Sequence, residues 1–239
     1  KATIQKNRAI YLIKKSRYLL IVGHVKPDGD AIGSMLAIHL ALLRLGKDAL
    51  LACDDDLPER FSFLPHLKEI KRLSEIIKQI KKVDLIITLD CGSYHLTGLD
   101  NYSEKISRPL LLNIDHHHDN PGYGDINIIE GKRSSAAEIV YDLLKAMNIR
   151  IDEKIATCIL NGIFGDTDSF KNPNTSVKTL KVTSDLLSRG ANLKQIAKNN
   201  LKDKSLSTLK LWGRTLTRIR KNKRLGIIST AATQEDSES

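Results

Sequence analysis

No apolar run in the 239 residues approaches the ~18 consecutive positions a membrane-spanning helix needs, so the sequence offers no candidate for one. No secretory leader is expected: the apolar stretch near the first residues is broken by Lys14, Lys15 and Arg17, and no small-residue cleavage pattern follows. A soluble, cytoplasmic protein is expected. Cysteine is scarce, and Cys53, Cys91 and Cys158 form neither an even set nor a C-x-x-C pair, which argues against a disulfide framework or a zinc knuckle. Internal repeats and low-complexity segments are lacking. The most basic run, "TRIRKNKR", has no interleaved aromatics and is read as a solvated helix end rather than a nucleic-acid surface.

What is present is globular composition, 41% hydrophobic and 28% charged, with a net charge of +10 that favours anionic partners. Short Ile, Leu and Val runs alternate with helical patterns, so the fold class is α/β: a parallel sheet flanked by helices, followed by a helical linker. Strands are predicted at 18–22, 49–53, 83–89 and 109–114, and helices at 31–45, 134–147, 152–164 and 176–188. "HLKEIKRLSEIIKQIKK" has apolar residues at helical spacing and lysines elsewhere, a solvated helix face. From Asn192 the pattern is helical up to "LGII", which reads as the first strand of another domain. The expected division is a catalytic domain over 1–190, a connector over 191–224 and the start of a truncated second domain over 225–239.

Chemistry in a parallel sheet gathers beyond the carboxyl ends of its strands. The first predicted strand runs into His24, Asp28 and Asp30, the third into Asp90, and the fourth into Asp115, His116 and His117; a later helix runs into Asp166. Four converging carboxylates would raise one another's pKa and cost stability, so something positive must sit among them. Two divalent cations balance the four charges. Mixed carboxylate and imidazole donors suit Mn²⁺ over Mg²⁺, which prefers oxygen, and over zinc, which takes fewer carboxylates; Mg²⁺ is the alternative. Taken singly, Asp30 reads as a helix cap. His39, His66 and His95 have no such company and are read as surface or packing residues.

The motifs "HVKPDGDAIGS", "LDCG", "IDHHHDN" and "GIFGDTDSF", in this order, resemble those of the DHH phosphoesterase family. The resemblance implies that His24, Asp28 and Asp90 hold one metal, and that Asp30, Asp90, His116 and Asp166 hold the other, with Asp90 bridging. It implies that Asp115 orients a ligand imidazole. His117 would contact the substrate phosphate, together with Asn120 and with Ser134 and Ser135, which serve equally well as helix caps. Asp168 stands where the family usually has glycine, so either Asp168 adopts a left-handed backbone or it adds a carboxylate near the metals.

"LKLWGRTLTRIRKNKRLGIISTAATQED" resembles the connector of the nanoRNase and 3'-phosphoadenosine-5'-phosphate phosphatase type, after which a DHH-associated domain would follow; that domain is expected to be missing here. The implied activity is manganese-dependent hydrolysis of short oligoribonucleotides or 3'-phosphoadenosine-5'-phosphate by a two-metal-activated water, with Asp90, His117 and Asp115 as the catalytic set. The alternatives are a cyclic-dinucleotide phosphodiesterase and a nucleic-acid-binding module without catalysis. The expected partner is a short RNA or nucleotide, with no membrane, and a homodimer is left open.

Overall fold

The computed structural model describes residues 2–105, 109–201 and 206–237 and divides into two compact units, Lys1–Ala197 and Lys198–Ser239. The first runs α1 (Ala2–Lys15), β1 (Leu19–Gly23), α2 (Gly29–Arg44), β2 (Ala49–Ala52), β3 (Ile70–Lys71), α3 (Leu73–Ile80), β4 (Leu85–Leu89), β5 (Leu110–Asp115), β6 (Ile126–Ile129), α4 (Ala136–Ala146), α5 (Glu153–Asp166) and α6 (Val177–Ser188). Its six strands form one parallel sheet in the order β3-β2-β1-β4-β5-β6. The order reverses between β1 and β4, so a crevice opens beyond their carboxyl ends.

The central strands β1 and β4 are buried along their whole length and almost wholly apolar because both faces of the sheet are covered there. Leu19, Ile21, Leu85 and Ile87 face the main core with α2, α4 and α5, while Leu20, Val22 and Ile86 face a second core with Leu73, Ile76 and Ile80 of α3. Three elements lie outside the predicted set. α1 places Ala9 and Ile13 in the main core, β3 is two residues long, and β6 is a short edge strand whose residues alternate between buried and half-buried.

α7 (Leu193–Leu201) follows α6, and the second unit contains α8 (Leu206–Thr217) and an antiparallel pair, β7 (Arg220–Asn222) with β8 (Ile227–Ser229). The helix expected to continue through "TRIRKNKR" therefore stops at Thr217, and the basic residues pass into a strand and its turn. Asn222 accepts from the N–H groups of Arg224 and Leu225, which closes that turn. Among the described residues, no helix is long and apolar enough to cross a membrane.

One buried polar network locks α4 to its neighbours. Glu138, 0% exposed, accepts from Arg133 Nη1 (2.8 Å), from the N–H (3.1 Å) and hydroxyl (2.8 Å) of Ser134, and from the Thr179 hydroxyl of α6 (3.1 Å). Arg133 also meets Glu130 and Asp142. Replacing Glu138 with Ala leaves a partly buried guanidinium short of one partner and three donors without an acceptor. A loss of about 3–5 kcal/mol is expected in urea unfolding, with Glu138→Gln losing less.

Candidate metal centre

The site is built where β1, β4, β5 and α5 end. β1 delivers His24, and the turn after it leads to Asp28, which caps α2 by accepting from the N–H groups of Asp30 (2.8 Å) and Ala31 (3.1 Å). The cap is therefore Asp28, not Asp30, which read singly was the candidate. Asp30 lies inside the first turn, 1% exposed, and its two carboxylate oxygens accept from the N–H groups of Ala136 (2.6 Å) and Ala137 (2.9 Å) at the start of α4. It thus holds a helix start, but that helix is remote in sequence.

Asp90 follows β4 with a left-handed backbone, φ +59°, an unfavourable region for a residue other than glycine. The position is held by its N–H donating to the Ile114 carbonyl (3.0 Å), and the carboxylate is 4% exposed. Asp90 presents Oδ2 to His24 Nε2 (3.6 Å) and Oδ1 to His116 Nε2 (3.4 Å). His24 Nε2 also lies 3.7 Å from Asp28, and His116 Nε2 lies 3.3 Å from Asp166. The geometry gathers two adjoining donor sets, His24 with Asp28 and Asp90, and Asp30 with His116 and Asp166, and a third, Asp90 with His116 and His117, that links them, each within 4.8 Å. Asp90 faces both.

These donors fit a divalent metal. Asp90 Oδ1 and His116 Nε2 are buried with no hydrogen-bond partner, an arrangement that costs stability unless a cation takes both. His24 Nδ1 sits 2.7 Å from the Val25 carbonyl, which calls for a proton on Nδ1 and leaves the Nε2 lone pair aimed at the carboxylates. Without a cation, protons take its place. Burial opposes charge on His24, yet Asp28 and Asp90 hold it up at about 10. His116 is likewise disfavoured by burial but held at about 10 by Asp90, Asp30 and Asp166. Burial pushes Asp30 well up, with Asp90 and Asp166 adding repulsion. Asp166 is raised to about 6, by burial first and then, against the pull of His116, by Asp90 and Asp28.

Asp115 is fully buried, and its Oδ1 accepts from His117 Nδ1 (2.8 Å) and from the N–H of His116 (2.8 Å). It therefore meets the His117 ring, and meets His116 only at its backbone N–H, where the expectation was a metal-holding imidazole. The His117 side chain is 46% exposed, and its pKa is raised, chiefly by the hydrogen bond to Asp115. Asn120 donates to Asp115 Oδ2 (2.6 Å) and the Cys91 carbonyl (3.0 Å) and accepts from Gly122 and Asn113, so its amide serves the loop.

Ser134 and Ser135 are 0% exposed; one hydroxyl donates to Glu138, and the other caps α4 by accepting from the Glu138 N–H. The expected phosphate contact from these serines is corrected: both hydroxyls are engaged inside the fold. Asp168 takes φ +44°, and its exposed carboxylate pairs with Lys171 (2.9 Å), so it meets the turn's need for a left-handed residue. The structure also assembles His39, His66 and Glu69 within 4.8 Å, a grouping with no motif in the sequence to announce it.

A family model described as "DHH family, N-terminal domain" matches residues 18–163, more than half of the chain. A Thermus thermophilus protein named a bifunctional oligoribonuclease and PAP phosphatase, NrnA, is 32% identical over 205 residues, 84% of this chain and 59% of that protein. A Bacillus subtilis protein of the same name is 29% identical over 203 residues, 82% and 60% respectively. The chain thus spans about 60% of the length of these relatives. The crystal structure of an exopolyphosphatase-related protein from Bacteroides fragilis superposes with a TM-score of 0.88 at 26% identity, covering 99% of this chain and 71% of that one.

Proposed function

The chain belongs to the DHH family, and on that premise we propose that it forms the catalytic part of a cytoplasmic, manganese-dependent phosphoesterase. Its substrates in this reading are short oligoribonucleotides, 3'-phosphoadenosine-5'-phosphate, or both. The observation that carries it is the orphaned pair Asp90 Oδ1 and His116 Nε2 at the meeting of two donor sets. His24, Asp28 and Asp90 would hold one ion, and Asp30, Asp90, His116 and Asp166 the other. Two such ions, when bound, supply Lewis acidity to a water and to the phosphoryl oxygens. The relatives' names support the substrate class.

The protein's own groups divide the remaining work. Asp90 keeps the two sets together from a strained backbone position. Asp115 fixes the His117 ring through Nδ1 and favours its charged form, so a proton is available at Nε2, the nitrogen left to face an anionic substrate or its leaving oxygen. Asn120 holds Asp115 in turn.

Titrating Mn²⁺ into the chain to about 100 times its Kd should stabilise the fold by about 2.7 kcal/mol, raising the melting temperature by about 5–10 °C. No shift would remove the two-metal reading. Hydrolysis belongs to the full-length protein: with Mn²⁺, short oligoribonucleotides and 3'-phosphoadenosine-5'-phosphate should turn over faster than cyclic dinucleotides or polyphosphate. Preference for either of the latter would replace the substrate assignment while keeping the metal centre. Salt-sensitive RNA binding with no turnover on any of them would leave a binding module.

A further inference from the structure

We infer that His39, His66 and Glu69 form a separate zinc site that clips the segment between β2 and β3 onto α2. His39 projects from α2 and is 1% exposed, and neither of its ring nitrogens makes a hydrogen bond. Its Nε2 lies 2.8 Å from Glu69 Oε2 without the alignment of a hydrogen bond, while Glu69 Oε1 lies 2.5 Å from His66 Nδ1. The two rings stand edge to face, with centroids 5.4 Å apart. One nitrogen from each imidazole and one carboxylate oxygen therefore converge within 4.8 Å.

A buried imidazole with no aligned hydrogen bond at either nitrogen costs stability, and a cation held between His39 Nε2 and the Glu69 carboxylate would give Nε2 a well-directed partner. Burial keeps His39 below its ordinary pKa, in the neutral form that ligates. Two imidazoles and one carboxylate, with a solvent-facing fourth position for water, are a donor set that zinc takes. The half-exposed His66 and exposed Glu69 give the ion an entry path.

The local chain is shaped for this. His66 takes a left-handed backbone, φ +61°, immediately before the single turn Leu67–Glu69, which sets His66 and Glu69 on the same side of the loop. Leu64 and Leu67 bury into the main core beside α2. The segment from Cys53 to Glu69 has only short turns of its own, a long connection for a compact fold, and a metal clip would restrict it. Asp30 and His39 are nine residues apart on α2, about 14 Å along its axis, so this site shares no ligand with the phosphoesterase centre.

The test is zinc stoichiometry in the full chain by competition with a chromogenic chelator, comparing the Asp90→Asn chain with Asp90→Asn/His66→Ala and Asp90→Asn/Glu69→Gln. Both added substitutions are at solvent-accessible positions, and unfolding of the metal-free chains reports whether the fold persists. Each double variant should bind about one equivalent less zinc than Asp90→Asn alone. Co²⁺ in place of zinc should give visible bands in Asp90→Asn that weaken in both double variants. Equal zinc stoichiometry and affinity in all three folded chains would overturn the site.

Discussion

Asp90→Asn should abolish the response to manganese while leaving the metal-free chain folded. Asn is the informative replacement because it tolerates the left-handed backbone at φ +59°, whereas Ala would add backbone strain of about 1 kcal/mol. The amide cannot supply the anionic bridge between His24 and His116, so in the full-length protein hydrolysis should fall by more than about 100-fold, beyond the loss typical of a residue that only supports a ligand.

The stability of the metal-free variant turns on two opposing charge effects. Asp90 is among the groups that push Asp30 and Asp166 up, after burial itself. An acid whose folded pKa is raised destabilises the fold once pH rises above its ordinary value, and the penalty is complete above the folded value, here about 6 for Asp166. Removing the Asp90 charge lowers that folded value, so the metal-free variant should gain on the parent between about pH 4 and 6. Loss of His24 and His116 pairing with Asp90 works against this gain, since both imidazoles are held charged partly by it. Thermal melts of both chains at pH 5 and pH 7, with and without Mn²⁺, decide it: a manganese shift in Asp90→Asn equal to the parent's would sink the bridging role.

The clustering of the candidate metal ligands was legible because each follows an apolar element, and a parallel sheet converts that placement into a gathering at one edge. His24, Asp90 and His116 needed no more than this. Asp30 was legible as a site residue but not in its local role. Asp28 and Asp30 both stand near the start of α2 at cap spacing, and only the folded chain shows Asp28 meeting the amides of α2 while Asp30 meets those of α4. Ser134 and Ser135 looked accessible because helix starts often bind anions; Glu138 and Arg133, four and one residues away, turn that start inward. β3 and β6 carry too few residues for a period to register, and the His39 grouping depends on a loop that folds back over α2.

Gly33→Ala should be among the most damaging single-atom additions in the protein. A Cβ at Gly33 would sit 2.3 Å from the Cys158 carbonyl oxygen and 3.2 Å from the Gly162 nitrogen. Both neighbours are backbone of α5, so no side chain can swing aside and the two helices must separate. Overpacking of this kind costs about 1–3 kcal/mol when the surroundings can give, and more when they cannot. A loss above about 4 kcal/mol is expected, set against Gly213→Ala in α8, where nothing lies within 4 Å and helix propensity favours alanine by up to about 1 kcal/mol. The consequence reaches the site, because α2 begins with Asp28 and Asp30 while α5 ends on Asp166. Gly162, on the same contact, would place a Cβ 2.6 Å from Asp30 Oδ1. Close approach of these helices is thus what brings Asp30 and Asp166 into one candidate donor set, and any Gly33→Ala chain that still folds should have lost most of its manganese shift. A melt within about 1 °C of the parent with a full manganese response would show that the helices can part without cost, and that their contact does not set the spacing of the ligands.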